Sequence, residues 1–107
     1  IRPSMYEAYH QIIAVNKSSK TLKTYDVVGP VCETGDTFAK AREVHASDAG
    51  DLIAIMSSGA YGAVMSSSYN TRMLAPEVMV KGSDFSIVRK RPSYEDVIKQ
   101  DTLPDWL

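Results

Sequence analysis

No apolar stretch in this chain of 107 residues is longer than five residues, and turn-forming residues separate the stretches. The longest run, residues 52–56, lies in a predicted strand at 51–57. This strand is apolar on both faces, as expected for a sheet that is covered on both sides. Further strands are predicted at 11–16, 22–28, 77–81 and 84–90, and residues 37–42 are predicted as a short strand or turn. Six short strands predict a mainly β fold, either a sandwich or a small barrel.

The connections between these strands carry local signals of their own. Gly82-Ser83 predicts a two-residue hairpin turn, and residues 16–20 predict a polar turn. Residues 43–50 are predicted to form a loop. Ser4 and Ser93 each precede an acid by three residues, the capping-box spacing, so short helices are predicted near both ends of the chain.

Composition limits the classes of function that the chain can have. Its length suits one domain, and 44% hydrophobic with 23% charged residues is ordinary for a folded protein. The net charge of -1 gives no electrostatic reason to bind nucleic acid. A single cysteine fits a reducing, cytoplasmic setting. The sequence contains no basic segment followed by an apolar one, so secretion is not predicted. Because the chain begins with Ile1 and not with Met, we expect it to be a piece of a longer protein.

Cys32-Glu33 is the sharpest chemical feature of the sequence. The pair lies between Gly29-Pro30 and Gly35-Asp36, directly after a predicted strand. A thiol has an ordinary pKa of about 8.5, which its surroundings can tune for proton transfer near neutral pH. Lone cysteines are also commonly small buried hydrophobes, and that interpretation stays open here.

Two further groups are candidates for binding. Arg2 and Tyr6 are four residues apart and can share one face of a helical turn, where an arginine fork suits a carboxylate. A solvated arginine beside a core tyrosine is the alternative. Tyr61 lies between glycines after the apolar strand, which indicates either close approach to a ligand or a plain β-bulge or bend. His10 and His45 have no partners at metal-ligand spacing, so no metal site is predicted.

Three segments and a closing motif together resemble a known family. They are Arg2-Pro3-Ser4-Met5-Tyr6-Glu7-Ala8-Tyr9-His10, Val28-Gly29-Pro30-Val31-Cys32-Glu33-Thr34-Gly35-Asp36, Gly59-Ala60-Tyr61-Gly62 with Ser67-Ser68-Tyr69-Asn70, and Ser93-Tyr94-Glu95-Asp96. In order and spacing they are similar to the C-terminal part of the diaminopimelate decarboxylases. Each motif alone is weak, whereas four in register over nearly the whole chain form a specific match.

The resemblance implies a fold-type III enzyme that depends on pyridoxal 5'-phosphate (PLP). In that family an N-terminal (β/α)8 barrel, absent from this chain, carries the Schiff-base lysine and most of the phosphate site. The C-terminal β-barrel domain, residues 1–107 here, completes an active site at the interface of a homodimer. The reaction decarboxylates meso-2,6-diaminoheptanedioate to L-lysine and carbon dioxide, the last step of bacterial lysine biosynthesis.

By position, the resemblance also implies roles for five residues. Arg2 and Tyr6 would bind the distal carboxylate of the substrate, and Glu33 would bind its distal ammonium. Cys32 would give a proton to the carbon that has lost carbon dioxide, in the partner subunit's site. Tyr61 would contact both cofactor and substrate.

The alternatives differ from this interpretation in identifiable ways. Ornithine and arginine decarboxylases share the fold and the cysteine, but they usually have Asp where this chain has Glu33, and they need no counterpart of Arg2. Alanine racemases share the architecture but should lack the loop that contains Cys32. A non-catalytic β-barrel module for binding or dimerisation is the remaining alternative, although the tyrosines are scattered and not arranged as a stacking stripe. With no barrel and no lysine in a cofactor setting, the chain alone is predicted to bind no cofactor and to be inactive.

Overall fold

The computed structural model describes residues 2–16 and 21–107, with the side chain of Arg2 outside that description. Within the predicted polar turn at 16–20, residues 17–20 lie outside the described part of the chain. The chain forms two compact units, Ile1–Ser66 and Ser67–Leu107. Each unit is treated separately below.

The first unit contains two short helices and four strands. In chain order they are α1 (Arg2–Tyr6), β1 (Ile12–Ala14), β2 (Leu22–Val28), β3 (Thr37–His45), β4 (Ile53–Ile55) and α2 (Gly59–Gly62). β1 pairs with β4, and β2 pairs with β3, both antiparallel. The β2–β3 ladder is the longest, and the segment that contains Cys32 connects its two strands.

The strand β3 is longer than the sequence predicted. It runs to His45, so the prediction of a loop from residue 43 was wrong for its first three residues. The reason lies in the partner strand, because Leu22 pairs with His45 and Lys23 pairs with Val44. A neighbouring strand that offers backbone partners extends the ladder beyond the segment that propensity alone favours.

The strand β4 is shorter and more exposed than its apolar sequence predicted. It covers three residues, and 43% of the surface of Ile53 is accessible to solvent. Within the described residues, β1 is its only partner strand. An apolar run is therefore present without the cover on both faces that such runs normally have.

Residues 59–62 form the helix α2, which corrects the prediction of a bulge or bend around Tyr61. Ser58 precedes the helix, and its hydroxyl donates to the carbonyl of Ile55 at 2.9 Å. This bond turns the chain sharply from the end of β4 into the helix. Tyr61 is consequently presented on a helical turn.

The second unit consists of a hairpin, a 3-10 turn and one helix. The hairpin strands are β5 (Glu77–Lys81) and β6 (Asp84–Arg89), joined at the predicted turn, where Gly82 has a φ of 61°. The 3-10 turn is Tyr69–Thr71 and the helix is α3 (Tyr94–Ile98). The capping box predicted at Ser93 is present. The hairpin and the final helix are thus confirmed.

The observed elements confirm a mainly β chain with short helices. Only three described residues are buried: His10, Ile12 and Ala39. All three belong to the first unit, and Ala39 lies on β3. Among residues 2–16 and 21–107, no helix combines the length and hydropathy needed to cross a lipid bilayer.

Candidate active site

The segment between β2 and β3 is a closed loop, and its base is a backbone pair. The amide of Gly29 donates to the carbonyl of Asp36 at 2.8 Å, and the amide of Asp36 donates to the carbonyl of Glu33 at 2.9 Å. These two bonds fold residues 29–36 into a compact turn. Cys32 and Glu33 lie at its centre.

The side chain of Asp36 closes the loop from within. Its Oδ2 accepts from the amide of Val31 at 3.1 Å. The carboxylate also lies over Gly29, where an added Cβ would be 2.0 Å from Oδ2. Such a distance is far inside van der Waals contact, so a side chain at position 29 would displace the carboxylate of Asp36 from this position. We refer to residues 29–36 as the cysteine loop.

Glu33 shapes the far end of the cysteine loop with half of its carboxylate. Oε1 accepts from the amide of Gly35 at 2.8 Å and from the hydroxyl of Thr34 at 3.4 Å. The residue is exposed, and in the described chain Oε2 has no hydrogen-bond partner. The carboxylate is therefore oriented by its own loop while one oxygen remains available for a cation.

Cys32 is exposed, which excludes the interpretation of a small buried hydrophobe in this chain. The thiol lies next to Glu33 at the centre of a loop fixed by several hydrogen bonds. An exposed thiol in a constrained loop is accessible to a reacting molecule.

The helix α1 lies against the cysteine loop. Ser4 does not cap the helix as predicted. It lies inside α1, and its hydroxyl donates to the carbonyl of Gly35 at 3.0 Å. Between α1, the loop and β3 lies an open groove of about 620 Å³, lined by residues 3–5, 7–9, 33–35 and 37–40 and by Arg42. Glu33 and the helix that carries Arg2 and Tyr6 therefore border one cavity.

The predicted site residues are only partly brought together. Tyr6 lies on α1, as the spacing from Arg2 predicted, but it is 65% exposed and does not line the groove. The Arg2 side chain lies outside the described part of the chain. Tyr61 lies on α2, is 56% exposed, and is also absent from the groove lining. Glu33 is the predicted residue that the structure places directly at the cavity.

One cluster at the groove had no signal in the sequence. Arg42 on β3 donates through Nη1 to the carbonyl of His10 at 3.0 Å, and its guanidinium carbon is 4.0 Å from the centre of the Tyr9 ring. His10 is buried, with its Nδ1 3.0 Å from the carbonyl of Met56. These partners are distant in the sequence, and no local pattern links them.

The described residues include potential metal ligands and five lysines. They contain no group of three His, Cys, Asp or Glu side chains that could hold a metal ion. The five described lysines, at positions 23, 40, 81, 90 and 99, are all exposed. A lysine that forms a Schiff base is normally desolvated or placed near another cation. None of these five lysines is desolvated in the described chain.

Comparisons with known proteins agree with the resemblance seen in the sequence. Residues 1–59 match the family model of the pyridoxal-dependent decarboxylase, C-terminal sheet domain. Over the whole chain, diaminopimelate decarboxylase from Zymomonas mobilis is 52% identical and that from Archaeoglobus fulgidus is 45% identical. The chain spans about a quarter of the length of each relative, 25% and 26% respectively.

A solved structure is similar over almost the same length. The crystal structure of diaminopimelate decarboxylase from M. jannaschii in co-complex with L-lysine aligns with a TM-score of 0.87 at 36% identity. The alignment covers 99% of this chain and 24% of that one. By its matched family model and its relatives, this chain belongs to the pyridoxal-dependent decarboxylases, and its residues 1–59 correspond to their C-terminal sheet domain.

Proposed function

We propose that residues 1–107 are the C-terminal domain of a diaminopimelate decarboxylase. The full-length enzyme converts meso-2,6-diaminoheptanedioate to L-lysine and carbon dioxide, as the last step of bacterial lysine biosynthesis. Relatives of that name, aligned along the whole chain at 45% and 52% identity, support this proposal. A solved relative of that name contains L-lysine, which is the product of the proposed reaction.

The observation that carries the proposal is that Glu33 and residues of α1 line the same groove. The distal end of the substrate bears one ammonium and one carboxylate. A site that binds it therefore needs an anion for the ammonium and, close by, a cation for the carboxylate. Glu33 presents an oriented carboxylate for the ammonium. Arg2 and Tyr6, on the helix tied to the loop through Ser4, bind the distal carboxylate.

Cys32 is the proton donor in this proposal. Its exposed thiol reaches the active site of the second subunit of a homodimer and protonates the carbon from which carbon dioxide has left. The constrained loop supports this role, because a proton donor must be held at a fixed position. The enzyme acts in the cytoplasm, where reducing conditions keep the thiol available.

The cofactor PLP would be held mainly by the N-terminal barrel, with Tyr61 as a contact from this chain. When bound, its pyridine ring withdraws the electrons that decarboxylation releases. The residues of this chain bind the distal end of the substrate, orient it and supply the proton. In this proposal the Schiff-base lysine belongs to the N-terminal barrel, so residues 1–107 alone are predicted to be inactive.

Substrate choice by the full-length enzyme tests the proposal. We expect turnover of the diamino diacid and at least about a hundredfold lower kcat/KM for ornithine and arginine, because those substrates leave polar groups of the site unpaired. Glu33→Asp should narrow this preference, since the shorter acid no longer reaches the ammonium from the same loop. Equal or better turnover of ornithine or arginine would reject the assignment. An unchanged preference in Glu33→Asp would reject the role of Glu33.

A further inference from the structure

The strand β3 contains an irregularity next to the groove. Tyr25 pairs with Arg42, but Val27 pairs with Ala39, so β3 has one more residue than β2 over this stretch. The extra residue is accommodated at Ala41, whose φ of 46° is in the left-handed region. This arrangement is a β-bulge, in which two residues of one strand oppose a single residue of the other.

The bulge is held by a side chain from the opposite strand. Oδ1 of Asp26 accepts from the amide of Ala41 at 2.7 Å, which satisfies the donor that the bulge removes from the ladder. A left-handed backbone is unfavourable for a residue with a Cβ and persists only where its surroundings impose it. Such conformations occur preferentially beside functional sites, where a bulge re-aims a side chain.

The side chain that this bulge re-aims is Arg42. In a regular strand Arg42 would share a face with Lys40, which is exposed. The extra residue shifts the alternation by one, so Arg42 lies on the face of Ala39, which is buried, and is itself only half-exposed. The guanidinium is thereby brought to the groove.

Arg42 uses this position to hold the residues that leave α1. It donates to the carbonyl of His10 and stacks on the ring of Tyr9, while the His10 side chain is buried against the carbonyl of Met56. The other contact of the helix is the bond from Ser4 to the cysteine loop. Two anchors, one on the loop and one on β3, thus hold α1 along the groove.

We propose that Arg42 is a positioning residue for the distal carboxylate of the substrate. By fixing Tyr9 and His10 it sets where α1 places Arg2 and Tyr6. The inference rests on the proposed function, in which α1 binds that carboxylate. Arg42 acts through the helix, so its loss weakens ligands that have the distal carboxylate and spares those that lack it.

The test uses the full-length enzyme and two ligands that differ in one carboxylate. The carboxylate of L-lysine is the one that is distal in the diamino diacid, whereas 1,5-diaminopentane has no carboxylate. In Arg42→Ala we expect the Kd of L-lysine and the KM of the diamino diacid to rise about tenfold. The Kd of 1,5-diaminopentane and kcat should stay within about twofold. Arg42→Lys should give an intermediate effect, because an ammonium cannot stack and donate in the same geometry.

Further variants separate positioning from general destabilisation. Asp26→Ala removes the acceptor that holds the bulge and should act in the same direction as Arg42→Ala, whereas Asp26→Asn keeps an acceptor oxygen and should act less. Arg89→Ala, which removes a surface ion pair with Glu77, is the matched arginine control and should change the Kd of neither ligand. If Arg42→Ala fails to fold, Arg42→Lys and Asp26→Ala carry the same readout.

Three results would overturn the inference. If the wild-type enzyme is active and its Arg42 variants keep the wild-type Kd for L-lysine, this role for Arg42 is rejected and the proposed function stays intact. Equal weakening of L-lysine and 1,5-diaminopentane would reject selective positioning. A wild-type enzyme that does not turn over the diamino diacid would reject the proposed function, and this inference with it.

Discussion

The carboxylate of Asp36 occupies the space that a side chain at position 29 would need. This one contact, with the bond from the amide of Val31, fixes the base of the loop that carries Cys32 and Glu33. The sequence showed Cys32 and Glu33 between two glycine-containing pairs, directly after a predicted strand. It could not predict that Asp36 folds back over Gly29, because that contact depends on the path of the whole loop.

At this scale we predict that Gly29→Ala destabilises the fold. The new Cβ would be 2.0 Å from Asp36 Oδ2, so either the carboxylate or the backbone must move. We expect a loss of about 1–3 kcal/mol in the free energy of unfolding. Urea denaturation of the full-length enzyme measures it.

The matched control is Gly59→Ala. An added Cβ at position 59, in α2, has no atom within 4 Å, so its effect should be within about 1 kcal/mol and can be stabilising. Equal losses in the two variants would show that the contact between Gly29 and Asp36 does not matter for folding.

Among the elements, the final helix and the hairpin turn were predicted correctly from local signals, whereas the capping box predicted at Ser4 was wrong. The capping box at Ser93 and the hairpin turn after β5 both follow from residues within a few positions of one another. The bulge at Ala41 was not predictable in the same way. It depends on Asp26 in the opposite strand and on the register of the β2–β3 ladder. Pairing between strands, and not propensity, decided the length and shape of β3.

The cap of α3 makes its stability depend on pH. The hydrogen bond from the backbone of Ser93, followed by that from its hydroxyl, lowers the pKa of Asp96 below its ordinary value of 3.8. The stabilisation of the helix is therefore complete above that ordinary value and is lost as the pH falls through the lower folded-state pKa. We expect the Ser93 amide resonance to report this loss in an NMR titration from about pH 5 to about pH 2.

Two variants identify the group that titrates. Asp96→Asn should abolish the acid-dependent shift of the Ser93 amide, because the amide side chain does not titrate. Glu95→Gln removes a neighbouring acid that makes no bond to Ser93, and should leave the shift in place. A shift that survives in Asp96→Asn would assign the titration to another group.

At the scale of the whole molecule, apolar surface is left uncovered. Three described residues are buried, whereas β4 and both hairpin strands of the second unit expose large apolar side chains. The apolar run that includes β4 predicted cover on both faces, and only β1 pairs with it in the described chain. The burial that the sequence pattern predicted for this run is therefore not present in the described chain. The pattern could not show what covers these residues, and the chain spans 25% of the length of its Zymomonas mobilis relative.

The proposed function also combines residues from several separate elements of the first unit. Glu33 and α1 meet at one groove, while Tyr61 lies on a separate helix. In the proposed homodimer Cys32 acts in the site of the other subunit. The full-length enzyme is therefore the smallest object on which the central claim can be tested.

The most direct measurement is the decarboxylation rate of the full-length Cys32→Ala variant at saturating meso-2,6-diaminoheptanedioate. If Cys32 donates the proton, kcat should fall by about 10²- to 10⁴-fold while KM changes little. Cys32→Ser has a weaker proton donor at the same position, so its kcat should lie between those of Cys32→Ala and the wild type. A Cys32→Ala enzyme with the kcat of the wild type would contradict the proposed role of the cysteine loop.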